Sequence, residues 1–183
     1  MTAGGGSVAP PLVFAWGNRS RGDDALGPLL LDRLRAALPE DASVVFLEDY
    51  QLQIEHALDL VGRSRVLFVD ASLTCSAPFE AMQLQPQKQA SVLTHALSPQ
   101  ALLQVFCDLH GHAPPPSTLL AIRGEVFELG ASLSPAAQAN LELALGWCQR
   151  WYSPQTCPAW DYHVGTGSTG RQRGIDHEGH FDC

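Results

Sequence analysis

One stretch constrains the fold more than any other. Leu12-Val13-Phe14-Ala15-Trp16, an apolar run of strand length, passes through Gly17-Asn18-Arg19-Ser20-Arg21-Gly22 into Asp23-Asp24 and then into a helical pattern. A strand that feeds a helix through a short polar loop begins a βαβ unit. In open α/β sheets the ligand crevice lies outside the carboxyl ends of the strands, which is where this loop falls. Two adjacent carboxylates at such a junction are poised for a metal, a proton or a polar substrate.

The rest of the chain repeats the alternation. Further strands are predicted at Val44–Glu48, Arg65–Val69, Glu80–Gln85 and Thr118–Ile122, each bounded by turn or polar residues. Leu26, Leu29, Leu30, Leu34, Ala37 and Leu38 recur at helical spacing, so Asp24–Leu38 reads as an amphipathic helix, with Asp23 or Asp24 available to cap it. Leu52, His56, Leu58 and Val61 indicate a second helix, Pro99–His110 a third and Pro135–Trp151 a last one, with Ser134-Pro135 as its start signal. The expected fold class is α/β: a three-layer sandwich whose twisted, mostly parallel five-stranded sheet carries helices on both faces. Glu80–Gln85 follows Asp70 too closely for an intervening helix, so it is expected to run antiparallel. Residues 1–10 are expected to form a Gly-rich, flexible start, 11–151 one domain, and 152–183 a mobile polar tail.

Composition excludes whole classes of partner. The 183 residues carry a formal charge of -8, and Lys88 is the sole lysine among eleven basic residues. A nucleic-acid partner, which needs clustered positive charge, is not expected. No apolar run approaches the roughly 20 residues of a membrane span, and no basic segment precedes an apolar one at the start, so a soluble cytoplasmic protein is expected. The five cysteines, Cys75, Cys107, Cys148, Cys157 and Cys183, include no Cys-x-x-Cys pair and read as small buried hydrophobes rather than disulfides or zinc ligands.

Three residues can converge at the carboxyl edge: Asp24 after the first strand, Asp70 at the end of the third, and His95 in Thr94-His95-Ala96. Two carboxylates and an imidazole suit a borderline divalent metal with open positions. The plainer alternative makes Asp24 a helix cap, Asp70 a strand-end turn former and His95 a satisfied polar residue. His110-Gly111-His112 runs into Pro114-Pro115-Pro116 and reads as a solvated pair, His56 as helix surface or satisfied core, and the run from Asp176 to Cys183 as a polar end. A dinucleotide site is excluded because Ala15-Trp16-Gly17-Asn18-Arg19-Ser20 is not G-x-G-x-x-G, although Glu48 and Asp49 stand where a ribose-binding acid would be. No G-x-S-x-G elbow is present.

The motifs resemble those of the hydrogenase maturation endopeptidases, proteases that trim the large subunit of nickel-iron hydrogenases. The resemblance spans about residues 11–151 and rests on Gly17 to Gly27 after a strand, then Phe68-Val69-Asp70-Ala71, then Thr94-His95, in that order. Thr118 to Gly124 and the closing helix look like the family's last strand and helix. The resemblance implies the same α/β sandwich, and it implies that Asp24, Asp70 and His95 contact nickel. That nickel belongs to the substrate, the precursor large subunit, and no tightly bound cofactor of the chain's own is expected. The implied reaction is removal of the precursor's C-terminal extension, with Asp24 or Asp70 as base. An incomplete O/O/N shell suits probing another protein's metal without extracting it. Position 24 is Asp where several relatives carry Glu, and Ala15-Trp16-Gly17-Asn18 replaces the common Gly-x-Gly-Asn. The competing reading is a receiver-like signalling or partner-binding module without protease activity. It requires a lysine near the acids, and Lys88 lies in a Gln-Pro-Gln-Lys-Gln segment instead.

Overall fold

The computed structural model describes residues 9–40, 42–88 and 97–152. The five strands are β1 (Leu12–Trp16), β2 (Val45–Asp49), β3 (Val66–Ser72), β4 (Phe79–Leu84) and β5 (Ser117–Arg123). They form a single sheet in the order β2-β1-β3-β5-β4, parallel except for β4, which runs antiparallel to β5 as its short connection requires. The helices are α1 (Leu26–Ala37), α2 (Pro99–His110) and α3 (Pro135–Tyr152).

Strand alternation divides the core into two layers. Val13 and Ala15 of β1, Leu67 and Val69 of β3, and Leu120 and Ile122 of β5 pack with α1 and α3 on one face. Leu12, Phe14, Val66 and Phe68 point the other way, onto Leu102, Leu103 and Phe106 of α2 and onto Leu52, Ala57 and Leu60. Near-continuous apolar strands are what a sheet covered on both faces demands. Leu26, Leu30, Leu31 and Leu34 are almost wholly buried, each contributing about 1.5–3 kcal/mol relative to exposure, and this fixes α1 against β1 and β3.

Local signals set the helix ends. The Ser98 hydroxyl accepts a hydrogen bond from the Ala101 N–H, Pro99 occupies the first turn, and Gly111 closes α2 with φ of 67°. Two expectations are corrected. The second predicted helix is present as a 3-10 helix, Ile54–Leu60, but Leu58 and Val61, expected on its apolar face, are exposed. Gln53 before it and Val61 after it are extended, so the segment is confined to short 3-10 turns, and the His56 ring folds back to accept from the Gln53 N–H. The helix predicted to start at Asp24 starts at Leu26, preceded by a 3-10 turn over Gly22–Ala25, and neither Asp23 nor Asp24 caps it. The expected tail and the tail's acid and histidine run lie outside the described residues.

Candidate functional site

Asp70 does not end its strand, as predicted, but lies within β3, which continues to Ser72. It therefore cannot be a strand-end turn former. Its side chain follows Val66 and Phe68 on the same face of the sheet, one step beyond the last β1–β3 pair, Ala15 with Val69, and so comes beside Trp16. Asp24 reaches this edge from the 3-10 turn because α1 packs very closely there. A Cβ added at Gly27 would stand 2.6 Å from the Trp16 carbonyl oxygen and 3.1 Å from that of Val69. Gly17, at φ of 140°, is equally constrained, since a Cβ there would stand 2.1 Å from the Asp24 carbonyl oxygen. These glycines let backbone cross backbone, and that crossing brings the two carboxylates together.

The electrostatics follow from this arrangement. Burial pushes the Asp70 carboxyl up to about 7, and the Asp24 charge adds to the effect. The Ala71 backbone N–H and the Trp16 indole, both donating to the Asp70 carboxylate, act in the opposite direction. Asp70 thus titrates near neutrality and can either hold or release a proton there. Asp24 Oδ2 accepts from the Asn18 backbone N–H at 3.0 Å, and the Asp24 N–H donates to the Arg21 carbonyl at 3.1 Å. The loop between β1 and α1 is thereby closed upon its own carboxylate.

Asp23, its neighbour, has a different task. It is completely buried, its Oδ2 accepting from the N–H groups of Glu125 and Val126 and from the Ser134 hydroxyl, and its Oδ1 from the Ser134 N–H. Burial alone would raise its pKa, but the backbone and hydroxyl donors of Ser134, Glu125 and Val126 overcome it and hold the carboxylate below its ordinary range. Ser134 Oγ in turn accepts from the Ala137 N–H, so Asp23 stands at the N-terminus of α3. A negative charge there meets the positive end of that helix. Asp23 is the tie between the β1–α1 loop and the start of α3.

Arg19 fastens the loop on its outer side. Its Nε and Nη2 donate to Glu48 Oε1 and Oε2, both at 2.8 Å, and its Nη1 and Nη2 donate to Asp32 Oδ2 and Oδ1 at 2.7 and 3.1 Å. Beside it opens a cleft of about 380 Å³ lined by Gly17 to Ser20 and Glu48 to Tyr50. Glu48 and Asp49, positioned in the sequence like ribose-binding acids, are engaged within the protein: Glu48 with Arg19, and Asp49 with His56 Nε2 at 3.2 Å. His56 is the satisfied core histidine that one of its two readings anticipated, lying edge-on to Phe14 with centroids 4.6 Å apart.

His95 lies outside the described residues, so the structure brings together two of the three predicted residues, Asp24 and Asp70. Among the described residues no group of three or more His, Cys, Asp or Glu side chains is placed to hold a metal. Of the pair expected to be solvated, His112 is exposed, whereas His110 is half-buried and packs on Phe106 at 4.5 Å between centroids. Cys75, Cys107 and Cys148 are buried and form no disulfide. No helix among the described residues is long and apolar enough to cross a membrane. Sequence reasoning overlooked Trp16 and Arg19, whose partners lie across the sheet or at distant positions in the chain.

No protein-family model matches the chain, and no curated relative does. Solved structures do match. A [NiFe] hydrogenase maturation protease, HycI from Thermococcus kodakarensis, superimposes with a TM-score of 0.59 at 19% identity, over 76% of this chain and 90% of that one. The hydrogenase maturating endopeptidase HybD from E. coli gives 0.59 at 24% identity, over 76% and 89%. A hydrogenase 2 maturation peptidase from a Thaumarchaeota archaeon gives 0.55 at 20% identity, over 78% and 97%. The chain therefore has the fold of the hydrogenase maturation proteases, spanning nearly their whole length.

Proposed function

We propose that this chain is a hydrogenase maturation endopeptidase that removes the C-terminal extension of a nickel-loaded hydrogenase large-subunit precursor. The observation that carries the reading is the meeting of Asp24 and Asp70 at the carboxyl edge, on the fold that those proteases share. In this reading Asp24, Asp70 and His95 contact the nickel held by the substrate, which serves as the mark of a correctly loaded precursor, and the chain has no tightly bound metal of its own. The metal polarises the scissile carbonyl or activates water, and Asp24 or Asp70 takes the proton.

The test is intact-mass analysis of a precursor incubated with the protein, nickel-loaded in one sample and nickel-free in another. Loss of the extension only from the loaded precursor is the expected result. Cleavage of both would leave a protease without metal recognition, and cleavage of neither, across several precursors, would overturn the assignment.

A further inference from the structure

We infer that Arg19 is the positioning residue for Asp24, holding the β1–α1 loop in the form that presents the carboxylate at the sheet edge; this rests on the protease reading above for its effect on turnover. A guanidinium has five N–H groups in one plane, and here two carboxylates use both of its forked edges: Glu48 takes Nε and Nη2, Asp32 takes Nη1 and Nη2. Nη2 also lies 3.3 Å from the Pro28 carbonyl oxygen. The three partners belong to three places in the fold. Glu48 is near the end of β2, Pro28 is in the first turn of α1, and Asp32 is one turn further along the same helix.

Arg19 thus ties the loop to α1, which follows it, and to β2, the strand paired with β1. The next residue back, Asn18, donates its backbone N–H to Asp24 Oδ2, and its side-chain Oδ1 accepts from the Ser20 N–H at 2.9 Å. Beyond Ser20 the loop has separate anchors: the Ser20 carbonyl accepts from the Gly130 N–H at 2.7 Å, and Arg21 Nε donates to the Phe127 carbonyl at 3.2 Å. Asn18, which bonds to Asp24, has the neighbouring Arg19 as its tie to the outer side of the fold. The Arg19 side chain is 43% exposed. An isolated ion pair at that exposure does little, but a doubly bidentate network is the exception in which geometry is fixed. Lysine supplies one point charge and no fork, so it cannot replace both contacts.

The experiment compares the wild type with Arg19→Leu, Arg19→Lys, Glu48→Gln, Arg19→Leu combined with Glu48→Gln, and Arg33→Leu. The last breaks the Arg33–Glu142 ion pair between α1 and α3, away from the loop, and serves as the control for a lost surface pair. Two quantities are read: kcat and KM for cleavage of nickel-loaded precursor, and hydrogen exchange of the Asn18 backbone amide by NMR. Arg19→Leu is expected to lower kcat roughly ten- to hundredfold with KM little changed, the signature of a misplaced group rather than of lost substrate binding. Arg19→Lys should not restore kcat, and the double variant should lose no more than Arg19→Leu alone, because the two residues act as one unit. Asn18 amide exchange should accelerate in both Arg19 variants and not in Arg33→Leu. Wild-type kcat in Arg19→Leu, or unchanged Asn18 protection, would overturn the inference. Amide exchange needs no substrate, so failure of the wild-type protein to cleave any precursor would count against the protease reading while leaving the positioning role to be decided by exchange.

Discussion

Replacing Asp70 by Asn should make the protein more stable, and increasingly so as pH rises. The Asp70 carboxyl titrates at about 7 in the folded chain and at 3.8 when unperturbed. Between those values the folded state holds a proton that the unfolded state has released, so stability falls as pH increases through this window. Each pK unit corresponds to 1.36 kcal/mol, which places the full cost of ionised, buried Asp70 at about 4 kcal/mol above pH 8. Linkage gives about 3 kcal/mol of that loss between pH 5 and pH 8.5. Asn has the same shape and an oxygen that can still accept from the Trp16 indole or the Ala71 N–H, but it carries no charge to desolvate and does not repel Asp24. Urea unfolding of both proteins, followed by tryptophan fluorescence at pH 5 and pH 8.5, measures the effect. The gap between variant and wild type should widen by about 2–3 kcal/mol from the lower pH to the higher. Equal gaps at the two pH values would refute the claim that burial and Asp24 raise this carboxyl. Groups elsewhere in the molecule titrate in both proteins and cancel in the difference.

The adjacent acids should separate cleanly by assay. Asp23→Ala leaves the N–H groups of Glu125, Val126 and Ser134 without their acceptor, and should cost about 3–5 kcal/mol in urea unfolding; a loss below about 1 kcal/mol would mean that water replaces the carboxylate freely. Because the folded-state pKa of Asp23 is lowered, its stabilisation is complete above the unfolded value and is lost as pH falls through the folded value, so the Asp23→Ala deficit should shrink in strong acid. Gly27→Ala forces a Cβ against the Trp16 and Val69 carbonyls and should cost about 1–3 kcal/mol while moving α1 away from the sheet edge, read by unfolding and by crystallography. Trp16→Phe removes the indole donor and should raise the Asp70 pKa further, as measured by carboxyl-carbon NMR titration; a fall would contradict the hydrogen bond.

What was legible in the sequence is what local chemistry decides. α2 runs over the predicted Pro99–His110 because Ser98, Pro99 and Gly111 specify its ends without help from elsewhere. The strands lie within three residues of their predicted bounds, since apolar runs between turn residues mark them directly. The 54–60 segment is helical, as its apolar spacing indicates, but its 3-10 form, the extended residues on either side and the burial of His56 against Phe14 depend on packing. The site divides in the same way. Asp24 and Asp70 are visible in the sequence as acids at a strand-to-helix junction and at the end of the third predicted strand. Nothing local distinguishes Asp23 from Asp24: the donors that consume Asp23 lie more than one hundred residues later. Arg19 finds its carboxylates 13 and 29 residues away, and Trp16 meets Asp70 only once β1 and β3 are in register. Such partners are set by topology and loop closure rather than by any spacing in the chain.

The central claim is that Asp24 and Asp70 together perform the chemistry while Asp23 serves the fold. Its most direct test is the rate of extension loss from nickel-loaded precursor, followed by intact mass, for wild type, Asp24→Asn and Asp70→Asn, each first shown by urea unfolding to be folded under the assay conditions. Both variants should be folded, Asp70→Asn more stable than wild type, and both should lose cleavage by at least a hundredfold. Full cleavage by either folded variant would contradict the account.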